Sequence, residues 1–450
     1  MGLPRYATEL ELQSMAKTPL APPLFGQTDP PEAPVRAMAE WEELQALVIT
    51  WRSFPTILTE IVRAARKECR VIINCDSPAN LLDAQSVLSA SGVDTSSNVE
   101  FVLAPNNSIW VRDYGPNCVY ANDVDSLYFV DWRYNRTTRR RDDSIATTLA
   151  PYFGAALYST SVAPNDLVNT GGNFMSDGMG TAFASDLILD ENAPGNIYGA
   201  SVKDEAQIDG IMQQYMGIDR FIKMEKLPFD GIHHIDMHMK LLDEQRLLVG
   251  QYPLNKADGP QIEANIQYVI QNFQNSFGDA YDVTRIPMPP DGNNRYPDLD
   301  GDYRTYANAV FVNKTILVPF YAAQYDTTAR RIWQNAMPGY NIVGIDCNDI
   351  IPLLGAIHCI TKEIGVADPL RIVHKPIKDV LQSPNSPIGY PISATIQHRS
   401  GIASARIWYT LDTTAAWQAV DMSPSISPDT TDVWEVVIPR IDDAVGKFVY

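Results

Sequence analysis

Histidine and cysteine side chains that could transfer protons or attack a substrate gather at two places in this chain. His233, His234 and His238 lie close together, and His358 immediately precedes Cys359. Histidine titrates near neutral pH, and a cysteine becomes a nucleophile once its thiol is deprotonated. These two places are therefore the first candidates for an active site, although a lone cysteine is more often a small buried apolar side chain.

The segment His234-Ile235-Asp236 has a spacing that suits a shared pocket. If it is a β-strand, residues two apart face the same side, so an imidazole and a carboxylate would enter one pocket together. Two other interpretations remain open. One is a salt-bridged strand edge, and the other is a metal site with His234, Asp236 and His238 as three ligands on one face.

A third candidate lies in the segment from Trp110 to Pro116, where an apparent strand runs into a Gly-Pro turn. This arrangement would place Asp113 near a strand end and beside an aromatic side chain. The two side chains could then form the rim of a site that binds a cation. The alternative is a surface ion pair between Arg112 and Asp113. By itself, the segment from Gly171 to Phe174 indicates only a tight turn with a polar asparagine.

Short apolar strands alternate with amphipathic helices over most of the chain, which predicts an α/β fold. The expected strands are residues 46–51, 71–74, 99–103 and 309–319. The expected helices are residues 56–67, a helix capped by Asp76 or Ser77 that stops at Gly92, residues 260–273, and a helix from Asp326 through Trp333.

The two ends of the chain differ in character from this α/β region. Residues 1–34 contain six prolines from Pro19 onward, which predicts an extended arm. After residue 368 the helical periodicity disappears, and strand-like runs predict a small β-sandwich over residues 369–450. These runs are residues 392–396, 405–411, 417–420, 433–438 and 445–450, and the last of them suggests a truncated domain.

Length and charge narrow the classes of function. The chain has 450 residues, 45% of them hydrophobic, and a formal net charge of -19. A nucleic-acid-binding protein would show a basic face, so the acidic balance argues against that class, whereas it suits a cationic ligand. No apolar run approaches about 18 residues, which predicts no membrane span. The first residues lack the apolar core of a signal peptide, and the five cysteines are too scattered for a disulfide scaffold.

Taken together, the motifs resemble the Porphyromonas-type peptidylarginine deiminases, which belong with the agmatine deiminases to the pentein superfamily. The resemblance spans about residues 35–365, and the matching segments follow in the family's order. They are Ala39-Glu40-Trp41, Trp110 to Pro116, Val130-Asp131-Trp132, Gly171 to Phe174, His234-Ile235-Asp236, Tyr306 to Ala309, and His358 to Thr361.

The resemblance implies both a fold and a set of roles. The fold is a ring of ββαβ modules around a pseudo-fivefold axis, with the active site in the central channel. Cys359 would be the nucleophile and His234 the general acid and base, while Asp113 and Asp236 would hold a guanidinium. The further substrate-binding residues that it implies are Trp110, Asn173 and Asn308. The reaction would need no metal and no other cofactor.

A basic run from Asn135 to Arg141 follows the third of these motifs. The peptidylarginine branch of the family is expected to bind the C-terminal carboxylate of its substrate with two closely spaced arginines. Arg136 matches the first, and Arg139 matches the second only if one residue is inserted. The alternative is that Arg139 to Arg141 form a solvated loop.

The sequence thus predicts a catalytic pentein domain over residues 35–368, followed by an immunoglobulin-like β-sandwich. The predicted reaction is hydrolysis of arginine in peptides or proteins to citrulline and ammonia through a thiouronium on Cys359. Three alternatives stay open: a deiminase of agmatine or another small guanidine, a metallohydrolase, and an inactive binding protein. The expected partner is an arginine-containing peptide or protein. We also expect a monomer and, from the resemblance, a secreted or cell-surface location.

Overall fold

The computed structural model describes residues 2–17, 26–377, 389–412, 414–426 and 432–439. The chain divides into two compact units, Met1–Ala367 and Asp368–Tyr450. Within the described part of the chain, no helix combines the length and the apolar character that crossing a membrane would require. All residues singled out above for chemistry belong to the first unit.

Mixed sheets of three or four strands make up the first unit. The strands are β1 (Val35–Ala37), β2 (Leu44–Thr50), β3 (Arg70–Cys75), β4 (Val99–Leu103), β5 (Asn117–Ala121), β6 (Ser126–Trp132), β7 (Ala156–Thr160), β8 (Met175–Ser176), β9 (Thr181–Ser185), β10 (Arg220–Met224), β11 (Met239–Leu241), β12 (Arg246–Gln251), β13 (Asp282–Pro287), β14 (Val310–Val312), β15 (Thr315–Phe320), β16 (Asn341–Asp346) and β17 (Lys362–Gly365). The helices are α1 (Glu9–Lys17), α2 (Pro55–Ala65), α3 (Pro78–Ala90), α4 (Val111–Tyr114), α5 (Ile145–Phe153), α6 (Leu187–Asn192), α7 (Glu205–Met216), α8 (Gly259–Asn272) and α9 (Ala323–Ala336).

One strand pattern recurs in the five sheets of this unit. In each, a middle strand has an antiparallel neighbour on one side and a parallel neighbour on the other, and one or two helices connect the parallel pair. The middle strands are β2, β6, β9, β12 and β15. β17 closes the sheet of β2, so residues from the two ends of the unit share one sheet. This repetition explains why strands and helices alternate in the sequence.

The predicted helices are confirmed where the spacing of apolar residues and the capping residues both indicate a helix. α2 starts at a proline and buries Ile57, Leu58 and Ile61 against the core. α3 begins after Ser77, whose side chain accepts a hydrogen bond from the backbone N–H of Asn80. Such a cap satisfies a backbone donor that the first turn leaves unpaired. The helix predicted near residues 260–273 is α8.

Three predicted elements were wrong in extent or type. Residues 9–17 form a helix rather than part of an extended arm, because the segment ELELQSMAK contains good helix formers and no proline. The single strand predicted over residues 309–319 is a hairpin of β14 and β15, which turns where Asn313 has a φ of 50°. α9 begins at Ala323, and Asp326 accepts the backbone N–H of Tyr321 instead of capping the helix.

The second unit contains an antiparallel sheet of five strands. They are β18 (Arg371–His374), β19 (Tyr390–Gln397), β20 (Ala405–Tyr409), β21 (Gln418–Pro424) and β22 (Val433–Ile438), in the order β18-β19-β22-β21-β20. Four of the five predicted strands are confirmed, and the fifth, at residues 445–450, lies outside the described residues. A small core of Ile392, Ile407, Tyr409 and Ile438 supports the sheet.

Two glycines that end helices provide a test of the packing in the first unit. Gly217 ends α7 with a φ of 67°, and a Cβ there would lie 1.8 Å from the carbonyl oxygen of Val35. Gly154 ends α5 with a φ of 66°, and its Cβ would meet no atom within 4 Å. Both positions are left-handed, which costs a residue with a Cβ about 1–2 kcal/mol.

We expect Gly154→Ala to lower the free energy of unfolding by about this conformational cost. Gly217→Ala should lower it by at least twice as much, because the backbone near Val35 must also move. Denaturant titration of both variants measures the difference. Equal destabilisation by the two substitutions would contradict the close approach of α7 to β1.

Candidate active site

Three short helical turns, rather than strands, carry the acidic and thiol side chains of the site. Asp113 lies in α4, Asp236 in the 3-10 turn Ile235–Met237, and Cys359 in the 3-10 turn His358–Ile360. The predicted strand at His234-Ile235-Asp236 was wrong, because the backbone N–H groups of Met237 and His238 donate to residues three positions earlier. Asp113 likewise sits inside a helical turn instead of at a strand end.

A buried arginine ties two of these turns together. Arg112 donates from Nη2 to Glu363 at 2.6 Å and from Nε to the carbonyl oxygen of His358 at 3.1 Å. Both charged side chains are buried, so the surface pair between Arg112 and Asp113 is excluded. Asp113 directly follows Arg112, and Cys359 directly follows His358. The contact between Arg112 and His358 therefore fixes the distance between Asp113 and Cys359.

The guanidinium of Arg5 fills the space between the two candidate carboxylates. Its Nε and Nη2 donate to Asp113 at 2.9 and 2.8 Å, and its Nη1 and Nη2 donate to Asp236 at 3.0 and 3.1 Å. Nη1 also donates to the Sγ atom of Cys359 at 2.7 Å. A guanidinium has five N–H groups, and these five hydrogen bonds use all of them. The site is therefore complementary to a guanidinium in both shape and charge.

The two carboxylates are ionised because of the cation between them. Burial alone would raise the pKa of Asp236, but the Arg5 guanidinium and His358 lower it well below its usual range. The pKa of Asp113 is also lowered despite its burial, by Arg5 and then by His234. The same two carboxylates raise the pKa of Arg5, which burial would otherwise lower.

The thiol of Cys359 lies beside an amide and the guanidinium. Nδ2 of Asn308 is 3.1 Å from Sγ and also donates to the carbonyl oxygen of Asp236 at 3.1 Å. Burial raises the pKa of Cys359, and both carboxylates raise it further, whereas the Arg5 cation lowers it. The guanidinium thus opposes the effect of burial without reversing it, so the thiol is protonated until it attacks and becomes the nucleophilic thiolate as it does so.

His234 completes the site and is fully buried. Its Nε2 is 3.0 Å from the hydroxyl of Thr170, and its Nδ1 is 3.5 Å from Oδ1 of Asp113. Burial, together with the Arg5 cation, lowers the pKa of His234 to about 3, although Asp113 and Asp236 act in the opposite direction. The imidazole is therefore neutral at pH 7 and can accept a proton.

Sequence reasoning assigned no role to His358 or Glu40, which support Asp236 from behind. Nδ1 of His358 is 2.8 Å from Asp236, and its Nε2 is 3.1 Å from Glu40. Glu40 also pairs with Lys240. The presence of His358 and Glu40 in the matching motifs was the one indication that they matter. Nothing in the local sequence indicates that their side chains come into contact.

The proposed metal ligands do not converge. Among the described residues, the His, Cys, Asp and Glu groups whose ligand atoms lie within 4.8 Å of one another comprise Glu40, His358 and Glu363. His234, Asp236 and His238 form no such group, because the strand that would have aligned them is a 3-10 turn. Glu40 and Glu363 already pair with Lys240 and Arg112.

Three of the five predicted substrate-binding residues contact the backbone around Arg5, whereas Asn308 contacts Cys359 and Asp236 as described above, and Asn173 lies elsewhere. Arg136 donates to the carbonyl oxygen of Arg5 at 3.1 Å, and Trp110 donates from its indole to that of Leu3 at 2.9 Å. Arg139 is buried instead of solvated, and it donates to the carbonyl oxygens of Pro4 and Tyr6, each at 2.8 Å. The side-chain amide of Asn173 pairs with the backbone of Ser185.

Comparison with known proteins now identifies the family. The model of the Porphyromonas-type peptidyl-arginine deiminase family matches residues 36–364. This chain belongs to that family. The deiminase is also 26% identical over 302 residues to a Vibrio parahaemolyticus protein named "Putative agmatine deiminase", a match that covers 60% of this chain and 78% of the relative.

Solved structures show the same fold. A crystal structure named as the "Putative Arginine Deiminase" from Porphyromonas gingivalis aligns with a TM-score of 0.61 and 21% identity, over 73% of this chain and 98% of that one. The agmatine deiminase of C. jejuni aligns with a TM-score of 0.58 and 21% identity, over 73% and 95% of the two chains. The deiminase therefore has a pentein-type fold, and its family acts on the C–N bonds of guanidino groups.

Substitution of the thiols tests which of them reacts. We expect Cys359→Ala to abolish turnover of a guanidine substrate by the deiminase, because its Sγ atom alone contacts the guanidinium among the five buried free thiols. Cys69→Ala and Cys347→Ala are matched controls that should retain most of the activity. Release of ammonia measures all three. Comparable losses in the three variants would point to a folding defect instead of a nucleophile.

Proposed function

We propose that this deiminase hydrolyses arginine residues within peptides or proteins to citrulline and ammonia. The observation that carries the proposal is the binding of Arg5 in the site, because Arg5 is itself an arginine within a polypeptide. Its guanidinium satisfies the site completely, and protein groups hold the backbone on both sides of it.

The proposed reaction uses the thiol and imidazole of the site. The Cys359 sulfur adds to the guanidinium carbon, and the proton that leaves the thiol passes through His234 to the departing ammonia as a C–N bond breaks. Water then loses a proton to His234, and its oxygen adds to the thiouronium carbon. The C–S bond breaks, so that citrulline and the free thiol result. Asp113 and Asp236 hold the guanidinium carbon in place and keep the guanidinium charged until the sulfur adds.

Contacts with backbone carbonyl groups support a peptide as the substrate. Arg139 bridges the carbonyl oxygens on both sides of the seated arginine, at Pro4 and Tyr6. Agmatine has no carbonyl group, so it could use none of these contacts. Arg136 donates to the carbonyl oxygen of Arg5. Because Arg5 is followed by further residues, this contact supports an internal arginine as the substrate. A preference for C-terminal arginine, in which Arg136 would bind a carboxylate, stays a prediction.

Deimination of agmatine is a second candidate, which the names of relatives favour. The Vibrio parahaemolyticus protein and the C. jejuni structure both carry agmatine deiminase in their names. The pocket for the guanidinium would serve either substrate. The two candidates differ in whether Arg136 and Arg139 contribute to binding.

We also propose that the five sheets of the first unit are the blades of a pseudo-fivefold ring, and that the second unit is immunoglobulin-like. The recurring strand pattern supports the first proposal. The antiparallel order of β18 to β22 supports the second.

A substrate panel tests the proposed function. Citrulline or carbamoyl-putrescine formation is measured with internal-arginine peptides, C-terminal-arginine peptides, free arginine and agmatine, on the wild type and on Arg5→Ala. We expect the highest kcat/KM for a peptide. In the Arg5→Ala background, where no arginine of the chain occupies the pocket, Arg136→Ala and Arg139→Ala should lower the value for peptides by roughly 10- to 100-fold, the usual effect of losing a charged hydrogen bond, and should barely change that for agmatine.

Two controls accompany the panel. Arg141→Ala removes an exposed arginine from the same loop and should leave every rate unchanged. Dialysis against a strong chelator should also leave the rates unchanged, whereas loss that zinc restores would favour a metallohydrolase. A preference for agmatine that survives in Arg136→Ala and Arg139→Ala would overturn the assignment to peptides.

A further inference from the structure

The segment that bears Arg5 is bound as a peptide over several residues, not by one side chain alone. The backbone N–H of Arg5 donates to the carbonyl oxygen of Leu353 at 3.0 Å. Beyond Tyr6, Glu11 of α1 accepts hydrogen bonds from Nε and Nη2 of Arg139 at 2.8 and 2.9 Å. The guanidinium, the flanking backbone and the following helix are therefore all held by the catalytic unit of the same chain.

We propose that Arg5 is a substrate of its own chain, which deiminates it once in cis and thereby frees the site for external substrates. This proposal rests on the proposed function, because it uses the same nucleophile and the same clamp. Two observations place Arg5 as a substrate would be placed: its guanidinium lies between both carboxylates, and its Nη1 donates to the Sγ atom of Cys359 at 2.7 Å.

The self-reaction balances as the hydrolysis of any arginine does. The sulfur of Cys359 bonds to the guanidinium carbon of Arg5, and one C–N bond breaks to release ammonia with the thiol proton. The C–S bond then breaks as a water molecule supplies the oxygen of the new carbonyl group. The products are citrulline at position 5, one ammonium ion and the original thiol, with no oxidant or reductant.

Conversion of Arg5 removes the interactions that hold the segment. Citrulline is neutral, so the ion pairs with Asp113 and Asp236 disappear. Its carbonyl oxygen replaces an N–H donor group in a pocket whose facing atoms are carboxylate oxygens and a sulfur. An acceptor facing buried acceptors is unfavourable, so the product segment should leave the pocket. Until then, a fully buried Arg5 closes the pocket to other guanidines.

Mass spectrometry of the purified chain tests the proposal. Position 5 is read from the peptide that cleavage after Glu9 releases, in the wild type and in Cys359→Ala. We expect citrulline in the wild type and arginine in Cys359→Ala. Arg141 and Arg331, which are exposed, serve as internal controls and should remain arginine in both. Arginine at position 5 in the wild type would overturn the proposal.

A mixing experiment separates cis from trans reaction. Isotope-labelled Cys359→Ala, whose Arg5 stays buried in its own pocket and out of reach of another copy, is incubated with excess wild type. We expect its Arg5 to stay unmodified. Conversion of the labelled chain to the extent seen in the wild type would show a reaction between copies and overturn the cis proposal.

The failure of this inference is distinguishable from that of the proposed function. One outcome is that Arg5→Ala converts external peptides while the wild type keeps an unmodified Arg5 and converts them poorly. The segment then blocks the pocket without reacting, and only the self-reaction is wrong. If citrulline forms at position 5 but external peptides are inert, the self-reaction stands and the assignment to external peptides fails. If neither is converted, both fail.

Discussion

A positive guanidinium held between two buried carboxylates is the interaction on which the rest of the site depends. Asp113 and Asp236 are both buried, and the negative charge of Asp236 raises the pKa of Asp113. Burying two like charges is unfavourable unless each is paired and hydrogen-bonded. The guanidinium supplies this pairing, and the same attraction selects arginine over neutral side chains.

The surrounding charges keep the two carboxylates in position. Asp236 is held by His358, which is held by Glu40, which pairs with Lys240. Asp113 is held through its neighbour Arg112, which pairs with Glu363. Acids and bases alternate along this network, so most of the buried charges have a partner of opposite sign. A fixed network of this kind positions the reacting groups before the substrate arrives.

The titration states of the thiol and the imidazole fit a reaction that the substrate itself activates. Burial keeps Cys359 protonated and His234 neutral. Before the reaction, the proton is therefore on the sulfur of Cys359 and not on the imidazole of His234. A bound guanidinium opposes the effect of burial on the thiol, and the proton displaced from sulfur is the one that departing ammonia needs. Reactivity of the thiol then develops where a guanidine is already in place.

The sequence predicted which side chains gather around the guanidinium better than the local conformations that position them. Cys359, Asp113 and Asp236 contact one guanidinium, and His234 lies beside Asp113, because dispersed motifs in a fixed order carry information about the whole fold. The local conformations around Asp113 and Asp236 were wrong, since a 3-10 turn and a short apolar strand have similar residue patterns. The place of Arg5 could not be predicted, because a single arginine near the start of the chain has no local signal that it will enter a distant pocket.

The most direct test of the account compares the binding of arginine with that of citrulline. The variant Arg5→Ala/Cys359→Ala has an empty pocket and no nucleophile, so calorimetry gives the Kd of a peptide with arginine and of the same peptide with citrulline. Loss of a charge-assisted contact is worth about 2 kcal/mol, so arginine should bind at least about 30-fold more tightly. Adding Asp236→Asn should remove most of this difference. Equal binding of the two peptides would contradict the claim that the paired carboxylates recognise a guanidinium.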